Sequence, residues 1–214
     1  MQEDTTRGEV KAKEGSEEPR VTRVGKRIRI RHTGEAVNVN LKKSGVVYLA
    51  VDCSGSMEGG KLAQAKQGAV GFAKEAENKG YLTGLISFES SVTHLCSPQA
   101  DVSILQKKLE PVTVGGGTNM SDAINLAVEK LSGKKGNRVI VVVTDGMPNE
   151  PERALRAAGR AKEKGIDIIT IGTDDADYEF LKKLASRDDL ATVVQQEQLE
   201  KGIVSTANML PQGK

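Results

Sequence analysis

From residue 45 onward two kinds of apolar pattern take turns along the chain, and that alternation limits the fold more than anything else in the sequence. Short aliphatic runs at 46–53, 81–89, 92–96, 138–144, 166–172 and 190–195 have the length and composition of buried strands. Between them, apolar residues recur at three- and four-residue steps: Leu62, Ala65, Ala69, Phe72 and Ala76; then Ile124, Ala127, Val128 and Leu131; then Ala154, Leu155, Ala158 and Ala161; then Phe180, Leu181, Leu184 and Ala185. Those are helical stripes, and shorter helices are expected around 102–109 and 197–208. Strands joined through helices run parallel and are covered on both faces. Only a few residues separate 81–89 from 92–96, too few for a crossover, so that pair is expected as an antiparallel hairpin at a sheet edge. The expectation is an α/β, doubly wound, mostly parallel six-stranded sheet with one antiparallel edge strand and helices on both faces.

Ahead of this region, residues 1–20 are polar and charged without apolar period and read as a disordered tail. Residues 21–43 read as an N-terminal β-hairpin, because Ile28 and Ile30 alternate with Arg27, Arg29 and Arg31, and Val37, Val39 and Leu41 alternate with polar residues after His-Thr-Gly-Glu. His32 falls at that turn. The main domain is expected over 44–210. The arginine row has two readings: charges that keep a hairpin edge from pairing with other chains, or a patch for nucleic acid or an acidic partner.

The 214 residues are enough to bury roughly 70% of the unfolded surface without staples. Thirty-one basic against 29 acidic side chains leave a net charge of +2, and there is no Trp, which together disfavour a nucleic-acid binder. No stretch approaches the ~20 apolar residues of a membrane span. The N-terminus lacks the apolar core of a secretory signal, and Cys53 and Cys96 are the only cysteines; the expectation is a cytoplasmic protein with reduced thiols.

In open α/β sheets ligands bind beyond the carboxyl ends of the strands, where strand order reverses. Three loops are expected at that edge. "DCSGSM" (52–57) carries Asp52, Ser54 and Ser56. "VGGGTNMSDA" (114–123) carries Thr118 ahead of a helix that Ser121 is placed to cap. "TDG" (144–146) carries Thr144 and Asp145. Two carboxylates and three or four hydroxyls, with neither thiol nor imidazole, suit a hard cation such as Mg²⁺. Zn²⁺ would draw on His or Cys, and His32 and His94 lie elsewhere. Taken singly, each loop is also an ordinary turn or helix start.

The three segments, in order and each in its expected local structure, resemble the metal-ion-dependent adhesion site of the von Willebrand factor A (VWA) domain. The resemblance covers about 43–210, includes the integrin inserted domain and bacterial stand-alone VWA proteins, and implies a Rossmann-like sheet. It implies Ser54, Ser56 and Thr118 as hydroxyl ligands, direct or through water, with Asp52 and Asp145 acting mostly through water around Mg²⁺, Mn²⁺ or Ca²⁺. In the family it resembles, movement of the threonine at the Thr118 position in or out of the inner shell is coupled to displacement of the last helix, which tunes affinity; whether this chain switches is an open question at this point. Cys53, between the aspartate and the first serine, is the one oddity in the motif; the two-residue period turns it away from the ligands into packing.

The function expected is a non-enzymatic interaction module, without catalytic residues or an organic cofactor, that binds an Asp or Glu of a partner protein through the cation. Resemblance to bacterial relatives points to an AAA+ ATPase or stress-response protein as that partner, not to nucleic acid or membrane. The alternative is a Mg²⁺-dependent hydrolase of phosphatase type. It is disfavoured because a DxD enzyme would carry an acid at Ser54, and the first loop has no cation before Lys61. A dinucleotide-binding reading fails on "GGGTNM", which lacks the GxGxxG spacing and does not follow the first strand.

Overall fold

The computed structural model describes residues 20–24, 27–32 and 35–40, of which the backbone is described, and 44–212. The chain divides into two units between Leu41 and Lys42. Of the 1–20 segment read as a tail, residues 1–19 lie outside the described residues, and Arg20 opens the first strand instead.

The first unit holds strands β1 (Arg20–Val24), β2 (Arg27–His32) and β3 (Glu35–Asn40) in an antiparallel meander. The expected hairpin is its second half, with Ile30 opposite Val37 and Ile28 opposite Val39. The additional strand escaped notice because Val21 and Val24 fall on opposite parities, so no two-residue period marks it. This corrects one reading of the arginine row: β2 is paired on both sides, so Arg27, Arg29 and Arg31 do not guard an open edge of that strand.

In the second unit β4 (Gly45–Asp52) is central and buried along its whole length. It pairs in parallel with β5 (Tyr81–Phe88) on one side and β7 (Asn137–Thr144) on the other. Beyond β7 lie β8 (Asp167–Thr173) and β9 (Ala191–Val194), both parallel, and beyond β5 lies the antiparallel β6 (Val92–Gln99). The order β6-β5-β4-β7-β8-β9 is the expected doubly wound, six-stranded, mostly parallel sheet. Its β5–β6 register slips twice between Thr83 and Ile86, which lets β6 run three residues past the expected end.

Among the described residues six helices cover the sheet: α1 (Lys61–Asn78), α2 (Val102–Leu109), α3 (Met120–Leu131), α4 (Pro151–Glu163), α5 (Tyr178–Leu184) and α6 (Leu199–Thr206). Helix α1 packs against α2 and α6, and α3 packs against α4, which meets α5, so the two faces are separately covered. The predicted stripes are the buried ones, except that Ala157 is fully buried where Leu155 is only partly so. Asp101 and Asp177 cap α2 and α5 by accepting the Ser103 and Phe180 N–H groups at 2.9 and 3.0 Å. Helix α3 begins at Met120, two residues earlier than a Ser121 cap would place its start. Asn119 accepts the Asp122 N–H instead, and Ser121 sits in the first turn with its hydroxyl donating to Asn119 Oδ1 at 3.3 Å.

Chain order along the sheet reverses between β4 and β7, the position at which such sheets bind ligands. Val51 lies beside Val143 in the ladder, so Asp52 and Thr144 end their strands side by side.

Tyr48 shows how tightly the middle of the sheet is filled. Its hydroxyl meets His94 Nε2 of β6 at 3.1 Å, and its ring crosses β5 at Gly84, where an added Cβ would lie 2.5 Å from the ring. A stiff ring between strands cannot step aside cheaply. Gly84→Ala is therefore expected to cost about 1–3 kcal/mol, read as a Tm fall of ~2–10 °C. The penalty should shrink in a Tyr48→Leu background, where the ring is gone; an equal penalty in both backgrounds would place the cause elsewhere.

Candidate metal centre

Asp52 ends the central strand out of contact with solvent, and both of its oxygens are used. Oδ1 accepts the Ser54 N–H at 2.8 Å, which turns the chain over the strand tip; Oδ2 accepts the Thr144 hydroxyl at 2.6 Å, which ties the tip of β7 to that of β4. Burial pushes the Asp52 carboxyl up to about 6, against the hydrogen bonds from Thr144 and Ser54 that favour its ionised form. After Ser54 a single tight turn, Gly55–Met57, is pinned by the fully buried Met57 side chain and exposes Ser56. The Ser54 and Ser56 hydroxyls lie 3.1 Å apart, and Ser56 donates to Asp145 Oδ1 at 2.7 Å. Cys53 is buried, with its thiol on the Val51 carbonyl and pushed up to about 12 chiefly by burial; it is an inert packing residue, as expected.

The glycine loop reaches the same place through its backbone. Gly115 N–H donates to the Cys53 carbonyl at 2.7 Å, and Gly55 N–H donates to the Gly116 carbonyl at 3.0 Å. From the other side the β5–β6 turn grips it: the Glu89 carboxylate accepts the Gly116 N–H, Ser90 Oγ accepts the Gly117 N–H, and the Glu89 carbonyl accepts the Asn119 N–H. Hydrogen bonds from the Ser91 hydroxyl and from backbone N–H groups hold the Glu89 carboxyl down at about 2. The glycines are needed for space, since a Cβ on Gly115 or Gly117 would come within 2.7 Å of Glu89 or 2.6 Å of Asn149. Thr118 follows, buried, its N–H on Asn149 Oδ1 and its carbonyl accepting the Asn149 N–H, both at 3.1 Å.

Of the five predicted residues, Asp52, Ser54, Ser56 and Asp145 are linked by direct hydrogen bonds or through Thr144. Thr118 is delivered by a loop bonded to both flanking segments. Sequence reading missed the neighbours that hold them. Thr144 was counted among the hydroxyls but binds Asp52. Lys61 was noted only as distant, yet its Nζ lies 2.9 Å from Asp145 Oδ2 and 2.7 Å from Asp175 Oδ2. Gly59 and Gly60, both at positive φ, reverse the chain sharply enough to bring this first residue of α1 back under Asp145. Burial works against the Lys61 ammonium, but its hydrogen bonds to Asp175 and Asp145 outweigh that and hold its pKa above the usual lysine value. Asp175 was legible in principle, since it follows β8 at the same carboxyl edge of the sheet.

The donor set suits a small hard cation. Octahedral ligands at 2.0–2.1 Å stand about 2.9 Å from their neighbours, close to the 3.1 and 2.7 Å steps from Ser54 to Ser56 to Asp145. Among the described residues no three His, Cys, Asp or Glu side chains gather as metal ligands, so the hydroxyls are indispensable to any such site. His94 is engaged with Tyr48 on the edge strand.

A family model for the von Willebrand factor type A domain matches residues 47–206. The chain belongs to this family. The 67 kDa magnesium-chelatase subunit of Heliobacterium mobile is 28% identical over 167 residues, 68% of this chain and 25% of that protein. The chain thus spans about a quarter of the length of the curated relatives it matches. Among solved structures, the von Willebrand factor domain of the type V pilus tip protein Mfa5 from Porphyromonas gingivalis superposes with a TM-score of 0.69 at 15% identity, over 77% of this chain and 94% of that one. Proximal thread matrix protein 1 from the mussel byssus, solved with zinc in its adhesion-site motif, gives 0.65 at 15% identity, over 79% and 46%. At such identities the two structures establish the fold of this VWA domain. No helix among the described residues is long and apolar enough to cross a membrane.

Asp52 makes the stability of the VWA domain depend on pH. The folded protein keeps this proton to about pH 6, whereas the unfolded chain releases it near the usual aspartate value of about 3.9. The favourable contribution is therefore complete below about pH 4 and is lost as pH rises through 6. Relative to Asp52→Asn, the wild type should lose on the order of 3 kcal/mol between those limits, measured by urea denaturation at several pH values. A constant difference would contradict the burial argument.

Proposed function

We propose that this VWA domain is a non-enzymatic protein-interaction module that takes an Asp or Glu side chain of a partner through a divalent cation. Domains of this family are commonly interaction modules with a metal site. The observation that carries the reading to this chain is the unbroken Ser54–Ser56–Asp145 chain of oxygens at octahedral spacing, set at the switch point of the sheet. Ser54, Ser56 and Thr118 would supply the hydroxyl ligands, with Asp52 and Asp145 behind them, to Mg²⁺ or to Mn²⁺ or Ca²⁺ in its place. When bound, the cation supplies a coordination position that an outside carboxylate completes. The protein's own residues do the rest: Asp52 fixes the turn, Asp145 orients Ser56, and the Glu89 clamp sets the approach of Thr118.

Two surface features favour a protein as the ligand's source. A polar cleft of about 140 Å³ opens beside Thr118, lined also by Ser90, Asn119, Asn149 and Arg153. Val114, Met147 and Tyr178, three exposed large apolar side chains, sit on loops or a helix start at the same sheet edge, where an apolar partner surface would cover them. An AAA+ ATPase or a stress-response protein is the proposed partner class, in keeping with the resemblance to a chelatase subunit.

Lys61 gives the hydrolase reading one point, since it provides the cation missing from the first loop. Against it, both oxygens of Asp52 and both of Asp145 are engaged within the protein, leaving neither carboxylate free as a nucleophile. Phosphoester turnover abolished by Asp52→Asn would favour that reading.

Mg²⁺ or Mn²⁺ at 100 times its Kd should stabilise the domain by about 2.7 kcal/mol, a Tm rise of ~5–10 °C. Ser54→Ala combined with Ser56→Ala should lose most of that rise. Capture of a partner from solution should be lost with EDTA. An unchanged metal-induced rise in the double variant would overturn the assignment.

A further inference from the structure

The Lys61 ammonium is almost enclosed, its side chain 11% exposed, and it touches a carboxylate that is fully buried. Asp145 divides its two oxygens between opposite neighbours: Oδ1 faces the hydroxyls, and Oδ2 faces Lys61. A permanent positive charge therefore stands one carboxylate away from the place where a divalent cation fits. Asp175 takes the far side of the ammonium at 2.7 Å; being 63% exposed, it is screened by solvent and offsets only part of this field.

The charge count within the centre follows. Asp52 and Asp145 together would balance a dication; with Lys61 included and partly offset by the solvent-screened Asp175, the filled centre keeps a positive excess of less than one charge. Like charges held this close and this dry repel strongly. In the absence of the dication the same ammonium has the opposite effect, since it pairs a buried carboxylate that would otherwise lie without a counter-ion.

Resting on the interaction-module reading above, we propose that Lys61 is a resident counter-cation that holds Asp145 in place, keeps the centre's own grip on a divalent ion weak, and leaves the filled centre in need of an outside carboxylate. Metal and acidic partner then bind as a cooperative pair, each strengthening the other by the same factor. Lys61 is a positioning residue, since it acts through Asp145 and touches neither metal nor partner. The sequence places it there by the Gly59–Gly60 reversal, which makes the first side chain of α1 turn inward.

The test is Mn²⁺ alone, titrated by calorimetry and by electron paramagnetic resonance into the full chain and its Lys61→Met, Lys61→Gln and Lys61→Arg variants. Thermal denaturation without metal is run in parallel. Removing the charge should tighten Mn²⁺ binding about tenfold or more, while lowering the Tm of the metal-free protein. Lys61→Arg, which keeps the charge, should bind as the wild type does. Lys61→Gln keeps a donor for Asp145 and serves if Lys61→Met does not fold. A fall in Tm with unchanged or weaker Mn²⁺ affinity would overturn the proposal, leaving Lys61 a structural ion pair; so would an arginine variant that tightens binding as the neutral ones do. If wild type and variants alike bind no Mn²⁺, the metal-centre reading itself fails, an outcome distinct from the other two.

Discussion

Asp52 is the end of a strand buried on both faces, and its carboxylate is the last polar group before the chain must turn. One oxygen turns the chain by taking the Ser54 N–H; the other joins β4 to β7 by taking the Thr144 hydroxyl. Burial opposes the charge and these two bonds favour it, and burial prevails. The site thus rests on a carboxylate held in an environment that resists its ionisation. Every other group is placed relative to it: Ser54 by the turn, Ser56 one step on, and Asp145 beside Thr144 at the tip of the adjacent strand.

Much of this was readable because it follows from periodicity. Buried strands separated by amphipathic stripes dictate a doubly wound sheet, and the short link between β5 and β6 dictates the antiparallel edge. Positions beyond strand ends are equally readable, which is why Asp52, Ser54, Ser56, Thr118 and Asp145 could be gathered from three distant segments. What pattern cannot convey is a contact made by a residue whose own position is unremarkable. Lys61 opens an ordinary helix, Glu89 follows an ordinary strand, and only the folded chain shows one on Asp145 and the other gripping Gly116. Ser121 was misjudged as a cap for a related reason: Asn119, two residues earlier, competes for the same N–H groups and wins by standing outside the helix.

The N-terminal strands teach a complementary lesson. Alternation exposed β2 and β3, where isoleucines alternate with arginines and Val37 and Val39 with asparagines, and hid β1, where two valines fall on opposite parities. A strand paired on both sides also removes the edge that its arginines were one way of protecting.

The glycine run at 115–117 carries no side chain of its own, and its surroundings are Glu89, Ser90 and Asn149. Its shape is consequently borrowed from its neighbours. Substitution here has a direction: the surrounding turn could shrink first and leave the glycines undisturbed, but the glycines cannot grow until the turn has shrunk. An evolutionary route that alters this loop must begin outside it.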